Sequence, residues 1–257
     1  MIYDLQKASM GKRISAYLFD IVIFLVVLTG FAFAISAIVG YDDKLSSMEA
    51  LYTEYEEKYG IKLDITTNEY DAMTEEERLA YDDKYNTAAE EFDKDERAKK
   101  LSSQLLYMTI LIVTIGLFLS FMLLEFIVPL FLRNGQTIGK KIFGICLMRD
   151  DCVKITPLIL FVRSILGKYT IETMVPIAVA VLIFLGGAGV GGFIALILLL
   201  GFEIGLVIKT NTNSFIHDLL AYTVAVDMQS QMIFETKEEM LEYKKRIHAE
   251  MVESKKY

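Results

Sequence analysis

Residues 14–20 read ISAYLFD, and the apolar run that they open continues without a charged residue from Ile21 to Gly40. Twenty such residues are enough for an α-helix to cross a bilayer core of about 30 Å. An acid at the mouth of this helix is costly to ionise near lipid, so Asp20 is a candidate functional residue. Arg13 precedes Asp20 by seven residues, which is two helical turns, so we expect both side chains on one face, roughly 10 Å apart along the axis.

Composition separates an apolar membrane part from one acidic insert. Of the 257 residues, 54% are hydrophobic and the mean hydropathy is +0.40, which is typical of a small polytopic membrane protein. The net charge is -8, but residues 41–104 alone hold 19 acids and 9 bases, a net charge of -10. The rest of the chain has no strong basic excess, so we expect no nucleic-acid partner.

The remaining apolar stretches predict further membrane-spanning helices. A second run begins at Leu101, and a third extends from Thr173 to Phe202 without a charged residue. The third is too long for one untilted span, and the glycine cluster at residues 186–192 predicts a turn that divides it into a hairpin. The sequence thus predicts an all-α polytopic bundle of about four transmembrane helices with a mostly helical extracytoplasmic insert. The predicted segments are 1–40 (N-terminal segment and first span), 41–104 (acidic insert), 105–133 (second span), 134–169 (basic cytoplasmic or interfacial segment), 170–209 (third and fourth spans), 210–228 (interfacial closing segment) and 229–257 (cytoplasmic helical tail).

Basic residues cluster in the segments that we expect in the cytoplasm. Residues 133–168 carry seven Lys or Arg side chains, whereas the glycine cluster carries none. Because cytoplasmic loops are enriched in bases, this favours four spans in a plasma membrane, with both termini in the cytoplasm and the insert outside. The alternative is three spans with a re-entrant piece within residues 173–208, which would export the bases of the tail.

Local signals subdivide the insert. Capping boxes at Ser46 and Thr74 each predict the start of a helix, and Gly60 predicts the end of the first one. Residues 61–65 alternate between apolar and polar side chains, which indicates a short strand. Nothing after Asn86 is predicted to stop the second helix before the second span.

Two further stretches are amphipathic. Residues 137–148 place apolar side chains on one side and Lys140 with Lys141 on another, which predicts a segment lying in the inner membrane interface. A capping signal at Thr236 predicts a helical tail with a narrow apolar seam, typical of packing or self-association.

The sequence offers no recognisable catalytic or cofactor motif. The glycines of residues 187–192 match G-x-G-x-x-G but follow no predicted strand, and residues 135–140 have the wrong glycine spacing for a phosphate loop. Cys146 and Cys152 lie in a basic loop that we expect in the cytosol, where disulfides are rare, so we expect free thiols. They form no metal-ligand spacing with the two histidines. We therefore expect no catalytic residue, no metal, no cofactor and no enzymatic activity.

Four pieces in order resemble the RDD family of bacterial membrane proteins. They are GKRISAYLFD at residues 11–20, GQTIGKKIFGI at 135–145, Arg163, and HDLLAYTV at 217–224. The second piece is similar to that family's G-x-T-x-G-K-x-x-x-G segment, and the last is similar to its closing segment with the second Asp. The long insert departs from the plain family pattern. Because some members are proposed to be monovalent cation/proton antiporters, the resemblance implies transport as one candidate function.

The transport hypothesis assigns a role to each unusual charge. Asp20 would carry the proton or cation, and Arg13 would favour its charged form. Asp218 and His217 would form a second, cytoplasmic site. Further acids lie within or beside the apolar runs, namely Glu125, Glu172 and Glu203.

The structural hypothesis assigns the same charges to architecture, and it is the interpretation that we favour. Arg13, Asp20, Arg163 and Asp218 would form ion pairs that lock the helices together, because buried pairs can serve specificity rather than chemistry. The protein would then be a structural, regulatory or accessory membrane subunit. Its expected partners are the lipid bilayer and either further copies of itself or another membrane protein.

Overall fold

The computed structural model describes residues 5–254 and contains four helices long and apolar enough to cross a membrane. This count confirms the prediction of about four spans in an all-α polytopic bundle. Between 6% and 17% of the residues in their most apolar windows are buried within the chain, so most of this apolar surface is available to lipid. The four helices are α1 (Met10–Val39), α5 (Glu96–Phe131), α7 (Pro157–Phe184) and α8 (Gly189–Lys209).

The chain divides into two compact units, of which the first comprises the residues up to Leu28 and those from Phe118 onward. It holds parts of α1 and α5, all of α7 and α8, and a small two-stranded sheet. The shorter elements of this unit are α6 (Ile138–Ile142), β1 (Ile145–Arg149), α9 (Ile216–Leu220), β2 (Thr223–Asp227) and the tail helix α10 (Lys237–Glu253).

The sheet is an addition that the sequence did not predict. Strands β1 and β2 are antiparallel, with Ile145 opposite Asp227 and Arg149 opposite Thr223. The N-terminal segment joins β2 through an isolated bridge between Lys7 and Val226. The predicted amphipathic stretch at 137–148 is therefore divided between a helix and a strand.

Both faces of this sheet are covered, which explains why β1 lacks an apolar–polar alternation. One face packs against Ala8 and Ala16 through Ile145 and Leu147. The other face buries two residues of each strand, namely Cys146, Met148, Val224 and Val226. Cys146 and Cys152 are free thiols, and burial raises the pKa of Cys146 to about 11.

The third apolar helix begins earlier than residue 170, the boundary expected from the sequence. Thr156 caps α7 by accepting a hydrogen bond from Ile159 N, and Pro157 occupies the first turn. The helix contains a π-helical segment over Val162–Met174, and α5 contains another over Met122–Ile127. π-Helical segments widen the helix and occur often at functional sites.

The hairpin between α7 and α8 turns where the glycine cluster predicted it. Helix α7 ends at Phe184 and α8 begins at Gly189. Gly186 has a φ of 76°, a left-handed conformation that favours glycine. The chain thus forms two separate helices here.

The second unit spans Thr29–Leu117 and contains α2 (Tyr41–Tyr59), α3 (Thr67–Asp71) and α4 (Glu75–Lys94). Its core is formed by Leu51, Tyr55 and Ala98. The capping box at Thr74 and the helix end at Gly60 are confirmed.

Three local predictions for this unit are wrong. Ser46 lies inside α2, because this helix begins at Tyr41, directly after Gly40 in a left-handed conformation. Residues 61–65 form no strand, since no partner strand lies in this unit, and the backbone N–H of Leu63 bonds the Glu56 carboxylate instead. Helix α4 stops before α5, where Asp95 caps the new helix by accepting a bond from Arg97 N at 2.7 Å.

The predicted tail helix is present, and Thr236 caps it by accepting a hydrogen bond from Glu239 N. Met240 of its apolar seam is buried with Val153 and Phe234. The ends of the predicted terminal segments, residues 1–4 and 255–257, lie outside the described residues.

Candidate functional site

The centre of the candidate site is an ion pair between α7 and α9. Arg163 Nη1 donates to Asp218 Oδ1 at 2.7 Å and to the Thr223 hydroxyl at 3.3 Å. The side chains of Arg163 and Asp218 are only 7% and 3% exposed. Helix α9 orients the acid, because Asp218 Oδ2 also accepts the backbone N–H of Phe215 at the start of that helix.

The electrostatic state of Asp218 follows from these contacts. Burial acts to raise its pKa, but the attraction of Arg163, together with His217 and the Phe215 N–H, outweighs burial and lowers the pKa below its ordinary value. Asp218 is therefore an ionised acid at neutral pH, paired with a guanidinium.

His217 extends this pair towards a second acid. Its Nδ1 lies 2.7 Å from Glu172 Oε2, and its backbone N–H donates to Glu172 Oε1 at 2.7 Å. Its Nε2 lies 3.8 Å from Asp218 Oδ2, and its ring stacks on Phe215. Burial lowers the pKa of His217, and the two flanking acids offset this only in part. We call Arg163, Asp218, His217 and Glu172 the charge network.

Asp20 lies outside this network and has a different kind of partner. Its carboxylate accepts hydrogen bonds from the Thr137 hydroxyl at 2.5 Å and from Gly139 N at 2.8 Å. Thr137 is the N-cap residue of α6 and Gly139 lies in its first turn, where the free N–H groups and the helix dipole favour a negative charge. A Cβ on Gly139 would lie 2.3 Å from the Ala16 carbonyl oxygen, so only glycine allows this approach.

The expected pairing of Arg13 with Asp20 is not formed among the described residues. Arg13 instead donates to the carbonyl oxygens of Asn213 at 2.7 Å and Ala225 at 2.9 Å, while its Nε is buried without a hydrogen-bond partner. The two side chains lie two helical turns apart on α1, so each one contacts a different part of the unit. Arg13 therefore ties α1 to β2 and to the segment that precedes α9.

Glu125, another acid singled out in the sequence, forms an ion pair. Its carboxylate pairs with Lys168 of α7, and its carbonyl oxygen accepts the Ser164 hydroxyl at 2.7 Å. Lys140 is half-buried nearby. Burial lowers the pKa of Lys140 to about 8, although Glu125 acts in the opposite direction.

The two remaining predicted residues join no ion pair with a described side chain. Glu203 is half-buried on α8, and Lys141 is exposed at the end of α6. The structure thus brings together Arg163, Asp218, His217 and Glu172, and it places Arg13, Asp20 and Glu125 in separate contacts.

Several contributing residues had no assigned role in the sequence interpretation. Thr137 and Gly139 hold Asp20, Lys168 pairs with Glu125, and Thr223 supports Arg163. The signal for the first two was present in the G-x-T-x-G-K segment, where a capping threonine is followed by glycine. The roles of Lys168 and Thr223 cannot be predicted from the sequence, because they depend on how the helices pack.

Chemically, the site is a set of buried charges that are paired with one another or hydrogen-bonded. Over the described part of the chain, no group of three or more His, Cys, Asp or Glu side chains is placed to hold a metal ion. The ionisable groups instead bond one another, hydroxyl groups and backbone N–H groups, which fixes α7 against α9 and β2.

Comparison with known proteins identifies the family of this chain. The model of the RDD family matches residues 7–222, which include α1 with Arg13 and Asp20 and extend through the Asp218 segment. No curated protein and no solved structure matches the chain significantly. Since the match covers most of the sequence, this membrane protein belongs to the RDD family.

Proposed function

We propose that the protein is a structural, regulatory or accessory membrane subunit in which ion pairs lock apolar helices to the small sheet. The observation that carries this proposal is the Arg163–Asp218 pair, which is closed off from solvent and bonded to Thr223 of β2. A buried carboxylate that is paired with a guanidinium in this way is poorly available to bind a transported cation.

The energetics of buried charge support this interpretation. Removing one partner of a buried ion pair typically costs about 3–5 kcal/mol, because the other charge is left uncompensated. Asp20 likewise accepts the backbone N–H of Gly139, and Glu125 is paired with Lys168 of the same unit. These contacts join α1 to α6 and α5 to α7, which is an arrangement suited to holding a shape.

The proposed setting follows from the charge distribution. We place the protein in the plasma membrane with both termini in the cytoplasm, because the bases of residues 133–168 then lie inside. Its partners would be the lipid bilayer and a second copy or another membrane subunit. The acidic segment at 41–104 would offer such a partner an electrostatic surface. We propose no catalytic chemistry and no cofactor.

A second candidate is monovalent cation/proton exchange through Asp20 and Asp218. The observation that favours it is the row Glu172–His217–Asp218, in which the imidazole lies 2.7 Å from one carboxylate and 3.8 Å from the other. A histidine between two acids can relay a proton. Acids near or within membrane helices often mark ion pathways.

The two candidates are separated by comparing Asp20→Asn with Thr137→Ala. Both changes weaken the same hydrogen bond, but only the first removes the carboxylate. We would measure thermal unfolding in detergent and proton flux driven by a sodium gradient in proteoliposomes, with empty liposomes as the baseline.

For a structural subunit, both variants should unfold at lower temperature, and wild-type flux should equal that of empty liposomes. Transport predicts wild-type flux above the baseline, abolished in folded Asp20→Asn and retained in Thr137→Ala. That second pattern would overturn the structural proposal.

A further inference from the structure

A groove lies between the start of α1, the end of α6 and the segment after β2. Its volume is about 490 Å³, which is within the range of small-molecule sites. Two lysines border it, and the remaining lining residues are apolar or uncharged: Lys12, Lys141, Ile142, Phe143, Gly144, Met228 and Gln229. All of these residues belong to the first unit.

The groove carries a net positive charge. Lys12 Nζ contacts Asp227 Oδ2 at 2.5 Å, so this acid neutralises one of the two ammonium groups. Lys141 is exposed and forms no ion pair with a described side chain. The resulting excess of one positive charge suits a monoanion such as a phosphodiester, which can bind the Lys141 ammonium and those N–H donors of Lys12 that are not directed to Asp227.

Exposed apolar side chains lie beside these lysines. Ile142 is 58% exposed and Met228 is 42% exposed. Lys12 is near the first residue of α1, Met10–Val39, a helix long and apolar enough to cross a membrane, and the end of such a helix is expected at the membrane surface. Basic groups beside apolar side chains at that depth are typical of segments that bind anionic lipid.

The groove is built into the fold. The backbone N–H of Met228 donates to the Gly144 carbonyl oxygen at 2.9 Å, which joins its two walls. Gly144 has a φ of 67°, and a Cβ there would meet no atom within 4 Å, so its surface is open. A ligand would therefore enter a site whose backbone is already in place.

We propose that this groove binds the headgroup of an anionic phospholipid. The phosphodiester lies between Lys12 and Lys141, and the glycerol and upper acyl chain cover Ile142 and Met228. The apolar side chains favour a lipid over a soluble phosphate, since a free anion would leave them in water. This site is separate from the charge network and does not depend on the proposed function.

The test uses the full chain in neutral detergent, with bound lipid counted by native mass spectrometry. Phosphatidylglycerol and phosphatidylcholine are titrated against the wild type, Lys141→Gln, Lys12→Gln and the double variant. Lys237→Gln is the matched control, because Lys237 is an exposed lysine outside the groove. Thermal unfolding of each variant confirms that it is folded.

We expect phosphatidylglycerol to bind the wild type more tightly than phosphatidylcholine. Each single groove variant should lose about fivefold in phosphatidylglycerol affinity, the effect of one lysine near an anionic surface, and the double variant should lose more than either, while Lys237→Gln binds as the wild type does. Equal affinity for the two lipids, or unchanged affinity in the folded double variant, would overturn the proposal. Equally tight binding of glycerol 3-phosphate would also overturn it, because the site would then recognise a soluble phosphate.

Discussion

Gly167 of α7 lies directly against His217 of α9. A Cβ on Gly167 would lie 2.7 Å from the His217 Cβ and 2.8 Å from its Cα. The second of these atoms belongs to the backbone and cannot rotate away. Close approach of the two helices is what brings His217 within reach of Glu172, one helical turn further along α7.

Replacing Gly167 with alanine should therefore separate α7 from α9. We expect Gly167→Ala to destabilise the protein by about 1–3 kcal/mol, the usual effect of overpacking a tight contact. Thermal unfolding in detergent, followed by circular dichroism, measures the change. Gly201→Ala is the control, because a Cβ at Gly201 meets no atom within 4 Å, and it should cause no loss of stability.

The contact between Gly167 and His217 also shows where prediction from sequence ends. The helices of the membrane part follow from runs of apolar residues, and the turn at Gly186 follows from the glycine cluster. These are local properties of the chain. The contact between α7 and α9 depends on residues fifty positions apart, and no periodicity reports it.

The candidate site was predicted as a set of residues but only partly as a set of contacts. The unusual charges at Arg163 and Asp218 were recognised, and they do form a pair. Asp20 was expected to be neutralised by a base, yet a hydroxyl and a backbone N–H bind it. The sequence shows which charged side chains are present. It does not show which backbone N–H groups will bind them, because the free N–H groups at the start of a short helix are positioned only in the folded chain.

The Arg163–Asp218 pair should show strong energetic coupling. We expect Arg163→Met alone to destabilise the protein by roughly 3–5 kcal/mol, because the Asp218 charge is left buried without its cation. Arg163→Met with Asp218→Asn removes both charges and should lose less than the sum of the single changes. A double-mutant cycle on thermal or denaturant unfolding measures this coupling.

The Lys154–Glu235 pair provides the matched control for that cycle, because its side chains are 42% and 72% exposed. Exposed ion pairs contribute little to stability, so Lys154→Met and Glu235→Gln should be additive. Additive effects at Arg163 and Asp218 as well would show that their contact does not stabilise the fold.

His217 should make stability depend on pH below neutrality. Burial lowers the pKa of His217 in the folded protein, whereas an unfolded histidine titrates near pH 6.5. The unfolded chain therefore takes up a proton first as the pH falls. The stabilisation is present above about pH 6.5 and is lost as the pH falls from there through the folded pKa.

Measuring the unfolding temperature between about pH 7.5 and 5.5 tests this, because the interval brackets the ordinary histidine pKa. His217→Asn should flatten the decline seen in the wild type. His248→Asn removes an exposed histidine of the tail helix and controls for the loss of one imidazole. A decline of the same slope in His217→Asn and wild type would assign the pH dependence to other groups.

Lys140 should destabilise the fold at neutral pH. Burial lowers its pKa to about 8 from the ordinary 10.5, so the unfolded chain holds this proton more tightly than the folded chain does. The stabilisation from this shift is complete above about pH 10.5 and is lost as the pH falls through about 8.

Lys140→Met removes the cost of the buried ammonium, and we expect a gain of roughly 1–3 kcal/mol at pH 7 that shrinks by pH 9.5. Lys141→Met, at the exposed neighbouring position, controls for the loss of one lysine and should leave stability at pH 7 nearly unchanged in neutral detergent. A loss of stability in Lys140→Met at pH 7 would instead show that Glu125 stabilises the ammonium by more than its burial costs.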